Sequence, residues 1–357
     1  MKNYSIEPKI DLFISPTSGQ MYEYNKQRNC KRSKIGRVNV KESTVKQRHR
    51  EVKLFDRRYM NKGILNGIAA YALWGFFPIY WKLLHHVPAL QLLGHRIVWS
   101  FLLLVCVTVI GRQWADFHSK LNARTFRIYL IAALLIGVNW LTYVWAVNAG
   151  FIVETSLGYF INPLLSVLMG VVFLHERLRP TQWIPVTLAA IGVACLTFAY
   201  GQLPWIALLL AFTFGFYGLV KKLAPLGSLY GLTLETGILF LPALAYLTIV
   251  QANDTASFLH SGIISDILII GAGLVTTVPL LMFASAAKQI PLTMIGVLQY
   301  LAPTIQFLIG VFIYKEAFDQ SRLIGFSIVW LALIIFWIEN YLANRVTVAP
   351  IPEMGKG

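Results

Sequence analysis

From residue 64 onward, apolar runs of about 18–23 residues recur with short polar breaks between them. Ten can be marked, at about 64–84, 92–111, 126–147, 152–174, 183–200, 203–220, 231–250, 265–287, 292–314 and 322–341. Each is long enough to cross roughly 30 Å of hydrocarbon as a helix. The runs are apolar nearly all round, unlike amphipathic surface helices. They also lack the alternation of outer-membrane strands. The pattern predicts an all-α membrane protein with ten transmembrane helices. Breaks such as Asn148-Ala149-Gly150 and Gly201-Gln202 barely turn the chain, so consecutive helices run antiparallel.

The polar punctuation repeats. At a constant offset of 140 residues, Gly75-Phe76 meets Gly215-Phe216, Lys82-Leu83 meets Lys222-Leu223, and Pro163 meets Pro303. At the same offset Gly170-Val171 meets Gly310-Val311 and Glu176 meets Glu316. Gly, Pro, Lys and Glu are scarce inside membrane helices, so they weigh more than apolar matches against the alternative of coincidence. The reading is two five-helix repeats, 60–200 and 201–342, followed by a tail 343–357. An odd number of helices makes the second repeat enter the membrane from the opposite side, the arrangement of many secondary transporters.

Composition sharpens this. The 357 residues are 57% hydrophobic and 13% charged, against about 25% charged in soluble domains. The formal net charge of +15 would suggest nucleic acid, but residues 1–59 hold +9 of it. That head is too polar to bury a core and has no signal-peptide apolar region. Two readings stay open for it: a disordered cytoplasmic segment, or an extension upstream of a start at Met60. With the N-terminus inside, loops facing inward carry 11 positive residues, from Arg112 to Lys356, and the outer ends carry Lys82, Lys315 and Arg322. The positive-inside rule therefore puts both termini in the cytoplasm. Three scattered Cys and no clustered His/Cys/Asp argue for no metal, and no cofactor or nucleotide motif is present.

Several stretches carry a family resemblance: Asn61-Lys62-Gly63-Ile64, Tyr71–Leu84 (YALWGFFPIYWKLL), His95–Ser100 (HRIVWS) and Asn139-Trp140 through Asn148. Glu154–Arg179 (ETSLGYFINPLLSVLMGVVFLHERLR), Thr233–Thr236 (TLET) and Leu298–Thr304 (LQYLAPT) add to it. Together they cover nearly all of 60–342 and leave out the head. The chain resembles the EamA-type permeases of the drug/metabolite transporter superfamily. The resemblance implies a permease of the bacterial cytoplasmic membrane, an exporter by expectation, and supplies no substrate.

Ionisable groups at the bilayer centre cost about 2.5–3.5 kcal/mol, so each calls for a reason. Thr155, Tyr159, Asn162 and Ser166 fall on one stripe of the fourth helix, broken by Pro163. Gln299, Pro303 and Gln306, with Tyr300 beside them, mark the ninth. These matched stripes read as cavity walls; the alternative is hydrogen bonding between helices. Asn139, Trp140 and Tyr143 on the third helix, and Trp74 on the first, join the candidate cavity. Arg96 could hold a carboxylate or phosphate, or instead snorkel or pair with an acid. His95, Glu154 and Glu235 are candidate proton carriers; a hydrogen-bonded His95 and a Glu154 that merely favours a helix dipole are the structural alternatives. Gly75 and Gly215 allow close packing of moving helices. Glu176 and Glu316 read as structural ion pairs beside Arg177 and Lys315.

The residues thus predict a secondary transporter working by alternating access on a small molecule. Proton coupling is a subsidiary reading, since exchange without protons fits as well. Expected partners are that solute, the lipid bilayer and a second copy in a homodimer, with no nucleic acid. A lipid-modifying membrane enzyme would need paired carboxylates or clustered His, and a sensor would need a soluble domain. The chain offers neither, and no enzyme activity is expected.

Overall fold

The structure is a computed structural model that describes residues 60–149, 151–200, 203–315 and 320–346. The expectations for the head 1–59, for Glu316 and for the tail beyond 346 lie outside the described residues, as does the side chain of Glu154. The described residues form ten long helices joined by short turns. They are α1 (Met60–Leu83), α2 (Ala89–Ile110), α3 (Ala123–Asn148), α4 (Ile152–Phe173) and α5 (Trp183–Tyr200). Then come α6 (Trp205–Leu223), α7 (Ser228–Ala252), α8 (Ile263–Gln289), α9 (Leu292–Ile313) and α10 (Gln320–Val346). A short helix, Trp114–Ser119, sits between α2 and α3. Since α10 runs to Val346, four residues assigned by sequence to the tail are helical.

Among the described residues, seven helices (α1, α2, α3, α6, α7, α8 and α9) are long and apolar enough to cross a membrane. Segments of α4, α5 and α10 are apolar but shorter by the same measure. Large apolar side chains point outward: Ile110, Phe198, Leu203, Leu241 and Ile263 are each more than seven-tenths exposed. Such a surface matches hydrocarbon as its solvent. With the backbone paired inside helices, as lipid demands, this is a multi-pass membrane protein.

The principal contacts join α4 to α6 and α9, α2 to α7 and α8, α3 to α6 and α7, and α5 to α10. α1 lies against α9 and α8, with Gly67 facing Leu298, Gly75 facing Ile305, and Tyr71 and Trp74 meeting Phe283.

Prolines shape the middle of the bundle. Pro78 has no N–H, so the Trp74 carbonyl loses its helical partner. α1 breaks there: the Phe76 N–H reaches both Ala72 O (3.2 Å) and Leu73 O (3.1 Å). The Gln306 side chain of α9 donates to the freed Trp74 oxygen at 3.0 Å. Pro163 in α4 and Pro303 in α9 likewise remove the N–H groups that would bond to Tyr159 O and Gln299 O. α4 and α9 touch here closely: a Cβ on Gly296 would lie 2.6 Å from the Pro163 carbonyl oxygen.

Candidate functional site

A cavity of about 300 Å³ lies between α1, α2, α3, α4, α6, α8 and α9. Its walls come from the later half of α1, the start of α2, the end of α3, the first half of α4 and the middles of α6, α8 and α9. It is therefore displaced toward the end of the bundle where α1 and α3 finish.

Arg96 enters it from α2, half-buried. Its Nε donates to Thr276 Oγ1 of α8 at 3.0 Å. The guanidinium carbon is 4.9 Å from the Trp81 ring centroid and 5.0 Å from that of Trp140, within cation–π range. Among the described residues no carboxylate lies within 4.0 Å of it, and none of the lining residues is acidic.

Polar groups of the α4 stripe form another part of the wall. Thr155, Tyr159 and Asn162 all border the cavity, and the Tyr159 ring packs edge-on to Tyr143 at 5.9 Å. Asn162 is buried and its Oδ1 has no hydrogen-bond partner. Ser166, one turn deeper, donates to Gln299 Oε1 at 3.1 Å, tying α4 to α9. Asn139 donates to Leu210 O (2.8 Å) and Thr213 Oγ1 (2.9 Å), fixing α3 on α6. Trp74 sits among Tyr71 (5.3 Å), Phe283 (5.8 Å) and Phe214 (6.1 Å).

The structure brings nine of the sequence-predicted cavity residues to one space: Trp74, Arg96, Asn139, Trp140, Tyr143, Thr155, Tyr159, Asn162 and Gln299. Pro303 also lines it. Tyr300 does not. It is one residue past Gln299, about 100° round the helix, and packs with Phe160, Val193 and Val329 while its hydroxyl donates to Phe160 O at 3.4 Å. His95 is buried against Phe258, ring centroids 5.0 Å apart, away from the cavity.

Glu235 is also elsewhere. Its Oε1 meets Lys221 Nζ at 2.8 Å and its Oε2 accepts from Tyr217 OH at 3.0 Å, with Lys221 and Glu235 each 1% exposed. Lys221, one of the 11 positive residues counted from sequence in the inward-facing loops, lies instead in the last turn of α6 and is paired. Lys222 and Lys288 are engaged too. Lys222 donates to Ile290 O at 2.6 Å, and Lys288 to Ala224 O at 2.7 Å and to Leu226 O.

Glu176 departs from its expected pairing with Arg177. Its carboxylate accepts from the Leu292 N–H at 2.7 Å and the Thr293 N–H at 2.9 Å, capping α9, with Lys222 at 3.8 Å. The two glycines differ as well. A Cβ on Gly75 would lie 2.6 Å from Ile305 Cβ, whereas one on Gly215 would meet nothing nearer than Leu165 Cβ at 3.5 Å.

Sequence reasoning missed Tyr71, Phe77, Trp81, Leu210, Phe214 and Thr276 as lining residues. Tyr71, Trp74, Pro78 and Trp81 follow i, i+3, i+7 and i+10 on α1, a one-face stripe that could have exposed that wall.

Known proteins give the cavity its context. A family model for the EamA-like transporter family matches residues 61–198. An uncharacterised transporter of Bacillus subtilis, YojE, is 46% identical over 80% of this chain and 97% of its own. The proteins named RarD of Streptomyces exfoliatus and Escherichia coli are 44% and 40% identical, over 79% and 82% of this chain and 90% and 99% of theirs. The chain belongs to the EamA-like transporter family, among its RarD-type permeases. A solved crystal structure, 19% identical, superposes on 77% of this chain and 97% of its own with a TM-score of 0.60, a likeness of fold. The chain is accordingly a membrane transporter.

Proposed function

We propose that this permease is a secondary transporter that exports a small solute across the bacterial cytoplasmic membrane by alternating access. Ten crossings in two five-helix repeats of opposite orientation would carry it, with both termini in the cytoplasm. The observation that carries the reading is the cavity itself: polar side chains converge inside an apolar bundle, at a space walled by both halves of the chain.

The contact pattern supports the repeat. Advancing every helix number by five turns α4–α6 into α9–α1, α2–α8 into α7–α3, and α3–α6 into α8–α1. The pairs α2–α7, α4–α9 and α5–α10 map onto themselves. Two inverted repeats give such a self-consistent set, and their exchange of roles is the physical basis of inward- and outward-open states. With the N-terminus inside, the cavity lies in the outer half. The inner side is then closed by Glu176 on the α9 N-terminus, with Lys222 and Lys288 on backbone carbonyls.

Exchange or facilitated flux fits the geometry better than proton coupling through Glu235 or His95. Glu235 is already held by Lys221 and Tyr217, and neither residue borders the cavity. The test is flux in proteoliposomes. Loading solute on the far side should accelerate uptake, while a pH step alone should not. No movement of any solute in a broad metabolite panel, under either drive, would overturn the transport reading.

A further inference from the structure

We infer that the cavity takes a small organic monoanion, its carboxylate on Arg96 and a planar apolar body among the aromatic walls. The inference rests on the transport reading above and names its substrate class. Arg96 brings a full positive charge into a space with no acidic lining residue among the described residues. Its Nε is committed to Thr276, and its terminal N–H groups have no acceptor among the described residues. Trp81 and Trp140 lie close to the guanidinium and soften its isolation, but an aromatic quadrupole does not neutralise a charge. The missing counter-charge must therefore come with the occupant, and the guanidinium fork suits a carboxylate.

Charge count narrows the class further. A cation would be repelled by Arg96, a neutral solute would leave that charge uncompensated, and a dianion would bring one charge too many. Eight of the 21 described lining residues are aromatic, which favours a flat apolar body. The buried, unpartnered Oδ1 of Asn162 adds a point where the solute can place an N–H or O–H donor. The cavity of about 300 Å³ keeps the occupant small.

Three probes with the same ring and different charge test this on the purified full-length protein: indole-3-acetate, indole-3-acetamide and tryptamine. Binding is read by calorimetry and by thermal stabilisation. The acid should bind about tenfold or more tightly than the amide, and tryptamine should not bind. In Arg96→Gln the acid should fall to the level of the amide. Equal binding of amide and acid, tighter binding of tryptamine, or an acid preference that survives in Arg96→Gln would each overturn the inference. Failure of all three probes to bind would overturn it too; intact flux of some other solute would then leave the transport reading standing. The wild-type comparison decides the matter even if the variant does not fold.

Discussion

Lys221 at the end of α6 and Arg96 near the start of α2 are both cations held within the bundle, and only Lys221 has an acid. Glu235 and Tyr217 surround it, and the whole cluster is sealed from solvent. Arg96 has a threonine and two tryptophans, and faces a cavity. The acid of the Lys221 pair, Glu235, lies on α7, the helix that aligns with α2 in sequence. At the 140-residue offset, His95-Arg96 of α2 correspond to Glu235-Thr236 of α7. α7 carries an acid committed to an internal cross-link, whereas α2 carries a cation with no acid beside it among the described residues. A compensated ion is part of the fold; an uncompensated one beside a cavity marks a binding site.

The largest effect should come from breaking the compensated side. Glu235→Ala leaves Lys221 buried and unpaired, with an expected cost of about 3–5 kcal/mol, read as a fall in melting temperature or loss of folded protein in detergent. Replacing both residues with leucine and methionine should recover most of that loss. Removing Arg96 should do the opposite: Arg96→Gln should melt no lower than the ligand-free wild type, because it deletes a charge that has no acid beside it among the described residues, yet lose transport.

Smaller effects separate two glycines that match in sequence at the same offset. Gly75→Ala drives a methyl group into Ile305 and should cost about 1–3 kcal/mol, whereas Gly215→Ala makes only ordinary contact and should stay within about 0.5 kcal/mol. Glu176→Ala removes the cap from α9 and should cost about 1 kcal/mol in the same melting experiment.

The smallest effect lies outside the membrane. Asp116, on the short helix, meets Lys120 Nζ at 2.6 Å and accepts from Tyr230 OH at 2.8 Å. The Lys120 hydrogen bond, then that of Tyr230, hold its carboxyl below the usual value, while Asp116 raises the ammonium of Lys120. The carboxyl's contribution is therefore present above the ordinary carboxylate range and lost as pH falls through its lowered pKa. The ammonium's is present below the ordinary lysine value and lost as pH rises through its raised one. Asp116→Asn should change the melting temperature barely at neutral pH, and not at all once pH is low enough to protonate the wild-type carboxyl.

The helices were legible because each apolar run must match the hydrocarbon thickness. The ten apolar runs and the observed helices differ mainly by a few residues at the ends, and seven of those helices are long and apolar enough to cross a membrane. The α4 stripe was legible because Thr155, Tyr159 and Asn162 keep helical spacing. Rotation about a helix was harder. Nothing in the sequence says that Gln299 faces the cavity and Tyr300 the α5–α10 side, since that depends on which neighbours pack where. Partners distant in sequence were also hidden. Lys221 looked like a loop charge because its acid is 14 residues away on the next helix, and Glu176 looked paired to Arg177 because its true partners, the N–H groups of Leu292 and Thr293, are 116 and 117 residues on.

The most direct test of the contrast is anion exchange by Arg96→Gln in proteoliposomes, against wild type incorporated at the same folded amount. Arg96→Gln should melt no lower than the ligand-free wild type and lose flux at least roughly tenfold. Wild-type flux from a folded Arg96→Gln protein would contradict this.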